Sequence, residues 1–250
     1  MKTVMKALFG GLLWVLGCTA AMAFATQEEQ INSYLEILAG TNPQAKIQML
    51  ERLQWSGLSD PALFDVIETR VLDGYQNDEI STNEFKVLAY DVRALGYSGN
   101  EKYLPTLKKV QKEADERKIR GYAKRAVKDM KRFSRLNASI ADVTVEAEGK
   151  SVEIQAYMKM LKSGYFDAER MATRAVYHER QTDPDLLDLI ASNLRKAYLA
   201  QGLSGDQQDT AAWYCKALGA TGGNYTDLLR QVKDGTQYKK IRKYAAKYVP

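Results

Sequence analysis

Apolar residues recur at three- and four-residue steps through Ile119, Tyr122, Ala123, Ala126, Val127 and Met130, and again through Ile241, Tyr244, Ala245, Tyr248 and Val249. That spacing lays one oily stripe along each helix and leaves the opposite side polar. Helix starts are marked in the same stretches. Asp60 before Pro61 and Asp183 before Pro184 fit an N-cap followed by proline in the first turn, and Ser81 with Glu84 fits a capping box. Gly96, Gly99, Gly219 and Gly222 punctuate short interhelical turns. The pattern predicts helices near 28–39, 43–57, 60–76, 81–97, 100–114 and 116–135, with a second set displaced along the chain.

The displacement is a repeat of about 123 residues. Ile31-Asn32-Ser33-Tyr34 lies over Ile154-Gln155-Ala156-Tyr157, and Asp60 to Ile67 over Asp183 to Ile190. Tyr75 matches Tyr198, and Ala94-Leu95-Gly96 matches Ala217-Leu218-Gly219. After Gly99 and Gly222 the second copy is one residue shorter, so Tyr103 pairs with Tyr225 and Ile119-Arg120 with Ile241-Arg242. Between the copies, residues 137–150 carry no helical stripe and are read as an extended linker or a short strand.

Short amphipathic helices joined by tight turns must hide their stripes against neighbours. The run from Ala94-Leu95-Gly96 through Leu107, Val110, Ile119-Arg120 and Ala123 resembles the HEAT-like repeat family. So does Ala217-Leu218-Gly219 with Gly222, Leu228-Leu229, Val232, Ile241-Arg242 and Ala245, while residues 45–71 are a weaker instance. The resemblance implies an all-α fold, an α-α superhelix (a HEAT-like solenoid) of two homologous tandem halves, with a concave helical face for a protein partner. Tyr122 and Tyr244 stand where such repeats usually carry a small residue, which predicts wider helix spacing. Some members of that family are enzymes acting on chromophores or DNA, substrates that an exported chain does not meet.

Export is read from the first residues: Lys2 and Lys6, an apolar stretch from Ala7 to Gly17, and Ala23-Phe24-Ala25 as a cleavage site. The chain therefore divides into a signal peptide 1–25, a first unit 26–136, the linker 137–150 and a second unit 151–250. Val15-Leu16-Gly17-Cys18 resembles a lipobox, so a lipid anchor through Cys18 is the alternative to simple secretion into the periplasm or medium. Cys215 is the one cysteine beyond the leader, which removes disulfides and thiolate metal sites from the picture.

Catalytic chemistry finds little to work with. His178 is the single histidine and aligns with Trp55, so histidine metal clusters and a Ser-His-Asp triad are disfavoured, and His178 reads as structural or superficial. Cys215 aligns with Val92 and reads as a buried, inert thiol. Asp65 and Asp188 fall in the first turn of a helix, where negative charge suits the dipole. Tyr34, Tyr75, Tyr103 and Tyr122 have tyrosine counterparts and read as packing, leaving Tyr97, Tyr165, Tyr177 and Tyr238 freer for recognition. No cofactor is implied, and the chain reads as a non-enzymatic binding or assembly module.

Charge adds one site expectation. Residues 26–100 hold 12 acidic and 5 basic side chains, whereas 101–135 hold 13 basic and 5 acidic. Lys118, Arg120, Lys124, Arg125 and Lys128, echoed by Lys239, Lys240, Arg242, Lys243 and Lys247, are the candidates for an anion-facing surface. Its partner would be an acidic protein, an anionic envelope polymer or anionic lipid head groups. The competing reading is a solvated face, with Arg120 and Arg242 bonding neighbouring turns. Nucleic acid is set aside, because export separates the chain from it and no aromatic-basic motif is visible in the sequence.

Overall fold

The structure, a computed structural model, describes residues 24–77, 81–222 and 224–249. The expected signal peptide, with Cys18, therefore lies outside the described residues apart from Phe24 and Ala25. Among the described residues the chain is helical, with no strand. Its helices are α1 (Gln27–Ala39), α2 (Pro43–Ser56), α3 (Pro61–Gly74), α4 (Thr82–Tyr97), α5 (Leu104–Glu113) and α6 (Arg117–Ala141). They are followed by α7 (Val152–Lys162), α8 (Phe166–Glu179), α9 (Pro184–Leu199), α10 (Gly205–Gly219), α11 (Thr226–Gly235) and α12 (Lys239–Ala245).

The caps read from the sequence hold the helix starts. Asp60 accepts from Ala62 N at 2.9 Å and Asp183 from Leu186 N at 3.0 Å, each just before a first-turn proline. Ser81 and Glu84 close a capping box, and Ser204 with Gln207 closes another 123 residues later. Each such cap is worth about 1 kcal/mol.

Two sequence expectations change. Helix α6 runs to Ala141 rather than ending near 135, because Phe133, Leu136 and Ile140 continue its buried stripe; the first five residues assigned to the linker, 137–141, are helical. The rest of the linker forms turns and irregular backbone rather than a strand. Gly96 and Gly219 are not turn residues but lie in the last turns of α4 and α10; the turns themselves fall to Gly99 and Gly222, at φ 61° and 84°. A Cβ on Gly96 would stand 2.8 Å from Ala126 Cα, so α4 and α6 cross with backbones nearly touching. Helix spacing there is close rather than widened, and Tyr122 escapes it by lying half-buried at the edge of the contact.

Helices pack on their neighbours in a regular order. The pairs α3/α4 and α5/α6 form hairpins, as do α7/α8, α9/α10 and α11/α12, and α1 leans on α2 and α3. One row runs α2, α4, α6, and a second runs α8, α10, α12. The stripes fill a single apolar core in which Leu50, Leu63, Leu95, Tyr103, Leu186, Leu218 and Ile241 are at most 1% exposed. The two stretches touch where α2 meets α7 and α8 and where α6 reaches α7 and α8. At that junction residues 123 apart in sequence meet face to face: Gln30 Nε2 donates to Glu153 Oε1 at 3.1 Å, and Trp55 stacks on His178 with ring centroids 6.5 Å apart.

Candidate binding face

An outward row of alternating rings and cations starts at the junction and runs along the second row of helices. It begins on α2 with Trp55, passes to Arg174 and His178 on α8, then to Trp213 and Lys216 on α10, and ends with Tyr244 and Lys247 at α12 and just after it. The Arg174 guanidinium carbon lies 5.4 Å from the Trp55 ring centre and 5.2 Å from that of Trp213. Lys216 Nζ lies 3.5 Å from the Trp213 centre and 4.7 Å from Tyr244, and Lys247 lies 5.0 Å from Tyr244. Tyr177 and His178 pack edge-on and tilted against Trp213, at 5.8 and 6.0 Å. All are exposed or half-buried.

Helical spacing builds this row. Trp213 and Lys216, three residues apart, share one side of α10, as Tyr244 and Lys247 share one side of the terminal segment. The first copy holds the same pairs: Arg93 sits 4.8 Å from the Tyr90 ring on α4, and Arg125 sits 5.9 Å from Tyr122 on α6. Cation–ring contacts of this kind add about 0.5–1 kcal/mol each when exposed and hold a long side chain in place.

Arg174 is a partly desolvated cation without a carboxylate partner of its own. It makes no ion pair among the described residues. Desolvation, followed by the nearby guanidiniums of Arg170 and Arg132, pulls its pKa below the usual arginine value. Asp209, the carboxylate that offsets this, already takes Lys240 Nζ at 2.8 Å and Arg170 at 3.6 Å.

The basic residues expected to form the anion surface divide into three groups. Arg120 donates to the carbonyls of Ala114 and Asp115, and Arg242 to that of Thr236, so these two tie each basic helix to the turn before it. Lys240 is held by Asp209, while Arg125 and Lys247 lie over Tyr122 and Tyr244. Lys118, Lys124, Lys128, Lys239 and Lys243 are exposed and make no ion pair among the described residues. The two groups are not gathered into one site, since α6 packs on α4 and α5 whereas α12 packs on α10 and α11.

Other candidates are used inside the fold. Cys215 is fully buried, which pushes its thiol up to about 12. Asp65 takes the Tyr103 hydroxyl at 2.8 Å and Lys102 Nζ at 2.7 Å, and Asp188 takes the Tyr225 hydroxyl at 2.9 Å, so these carboxylates lock neighbouring hairpins together. Of the tyrosines read as free for recognition, Tyr97 is buried against Phe133 and Tyr238 bonds Leu203 N and the Ala200 carbonyl. No group of three or more potential metal ligands occurs among the described residues.

Sequence reading passed over Trp55, Arg174, Trp213 and Lys216. Their signal was the aromatic-then-cation pair at three-residue spacing, present at 90/93, 122/125, 213/216 and 244/247. The row also corrects the expectation that no aromatic-basic arrangement accompanies the charge. Comparison with protein families, curated proteins and solved structures gives no match.

Proposed function

We propose that the protein is a non-catalytic binding scaffold of the HEAT-like kind, exported from the cytoplasm, in which two stacks of three helical hairpins, residues 26–136 and 151–250, present the ring-and-cation row to a partner. The alternating hairpin order and the conserved offset of 123 residues support two homologous stacks. Contacts between equivalent residues, Gln30 with Glu153 and Trp55 with His178, favour stacks joined through their first hairpins about an approximate two-fold axis. In one continuous superhelix, positions three hairpins apart would not touch.

The observation that carries the binding role is Arg174, fixed between two indoles with no carboxylate of its own. Cations placed this way are already ordered and partly desolvated, so a partner's anionic group meets a prepared surface. The test is mild crosslinking in the native host with wild type and with Arg174→Glu/Lys216→Glu. Adducts present in wild type and lost in the double variant, with its helical content unchanged, are expected. Adducts identical in the two proteins would overturn the role of this face.

A further inference from the structure

Resting on that reading, we propose that the row from Trp55 to Lys247 binds a linear polyanionic polysaccharide, its carboxylate or sulfate groups seated on the cations between the rings. The Arg174 guanidinium carbon lies within 5.4 Å of two indole ring centres while the residue stays exposed, and the N–H edge of the guanidinium meets no carboxylate among the described residues. That edge suits bidentate capture of a carboxylate or sulfate. Nothing acidic competes for it: Asp209 is held by Lys240 and Arg170.

The remaining groups on the row are donors as well. Neither the Trp55 nor the Trp213 indole N–H makes a hydrogen bond among the described residues, and an indole N–H can only donate. Arg174 and Lys216 share one ring at 5.2 and 3.5 Å, which places the two charges within about 9 Å, comparable to the Debye length of about 8–10 Å at roughly 0.15–0.1 M salt. They therefore act on a bound anion together rather than as separate surface charges.

Periodicity selects the ligand class. Along the row the aromatic-cation pair occurs on α10 and again from α12 into the turn after it, with Arg174 beside Trp55 and Trp213 before them, and such a repeated recognition unit matches a polymer with a repeated charge. An acidic protein has no such period. Trp213, Lys216 and Tyr244 are half-buried, which favours a single narrow chain over a flat bilayer as the occupant. Single-stranded nucleic acid needs open ring faces for its bases; here the Trp213 face carries Lys216, and Trp55 is stacked with His178 and Arg174.

Two of the three tryptophans, Trp55 and Trp213, are on the row, so emission of a chain carrying Trp14→Phe reads the site directly. Heparin, as a sulfated glycan, and polygalacturonate, as a carboxylated one, are titrated into the full chain at low salt and their emission change recorded. Neutral dextran, an oligothymidylate and phosphatidylglycerol vesicles are titrated in parallel. Saturable binding of at least one anionic glycan is expected, with no response to dextran. Arg174→Ala/Lys216→Ala should weaken it by tenfold or more and Arg174→Lys by a smaller factor. Arg230→Ala, which removes a cation on α11 paired with Asp227, should leave it within twofold. Failure of both glycans to bind overturns the proposal, as does equal weakening by Arg230→Ala. Tighter binding of the oligonucleotide or vesicles overturns the ligand class while the crosslinking result, a separate readout, still decides the scaffold reading.

Discussion

Two clefts 123 residues apart in sequence occupy corresponding places between hairpins and have opposite polar contents. In the first, of about 550 Å³, Lys46, Arg70, Asp73 and Asp91 line the walls. In the second, of about 260 Å³, the same positions are Glu169, Asn193, Lys196 and Tyr214. Asp91, with its side chain 2% exposed, is held by Arg70 at 2.9 Å. Tyr214 instead donates its hydroxyl to Glu169, and Asn193 Nδ2 donates to the Leu161 carbonyl at 2.8 Å. One cleft thus buries a charge pair, and the other buries a phenol–carboxyl bond plus a neutral amide. The apolar stripes that set the helix frame are kept across the repeat while the polar lining changes, even where, as at Asp91 and Tyr214, it is buried.

The largest consequence falls on the first cleft. Removing one partner of a buried pair leaves the other uncompensated, at a cost of about 3–5 kcal/mol. Arg70→Ala should lose roughly that much in urea unfolding at pH 8. The loss should shrink at pH 5, because burial pushes Asp91 up to about 6 even with Arg70 present, and the variant carboxyl is then readily protonated. A pH-independent loss would show that the pair is not what holds Asp91.

The wild-type profile sharpens the same point. A carboxyl whose folded pKa is raised from 3.8 to about 6 keeps its proton longer in the folded chain than in the unfolded one. Its contribution to stability is therefore greatest below pH 3.8, falls as pH rises through the window to about 6, and is flat above it. Asp91→Asn should remove most of that window, as followed by the urea midpoint between pH 3.5 and 7; in the second cleft burial also raises Glu169, whose partner is the Tyr214 hydroxyl rather than a cation.

In the second cleft, Tyr214→Phe strands the partly buried Glu169 oxygen and should cost about 1–3 kcal/mol by the same urea assay. Two glycines give a comparable and a smaller effect. Gly96→Ala drives a methyl into Ala126 and should cost about 1–3 kcal/mol. Gly121→Ala, in α6 with nothing within 4 Å of its added methyl, should instead gain about 0.5–1 kcal/mol, both read by thermal melting.

Much of the helical frame was legible because its signals are local. Asp60, Ser81 and Asp183 announce their helices within three residues, and the apolar steps of each stripe fix which side is buried. The end of α6 was misplaced although Phe133, Leu136 and Ile140 continue its stripe, because the dense cations up to Arg135 obscured them. Arg120 and Arg242 bond neighbouring turns as one of the two sequence readings proposed, through a contact within six residues. The ring-and-cation row was not legible as a site, since Trp55, Arg174 and Trp213 come from three helices and meet only through tertiary packing. Asp65 and Asp188 illustrate the same limit: they lie beyond the first turns of α3 and α9 in which the sequence placed them, and the tyrosine partners that hold them lie 38 and 37 residues away.

The salt dependence of heparin binding, followed by tryptophan emission from 50 to 300 mM salt, tests the binding face most directly. Each anion–cation contact contributes close to one unit to the slope of log affinity against log salt. Wild type should show a steep negative slope, and Arg174→Ala/Lys216→Ala a slope shallower by about two. A slope unchanged by the double substitution would contradict the account.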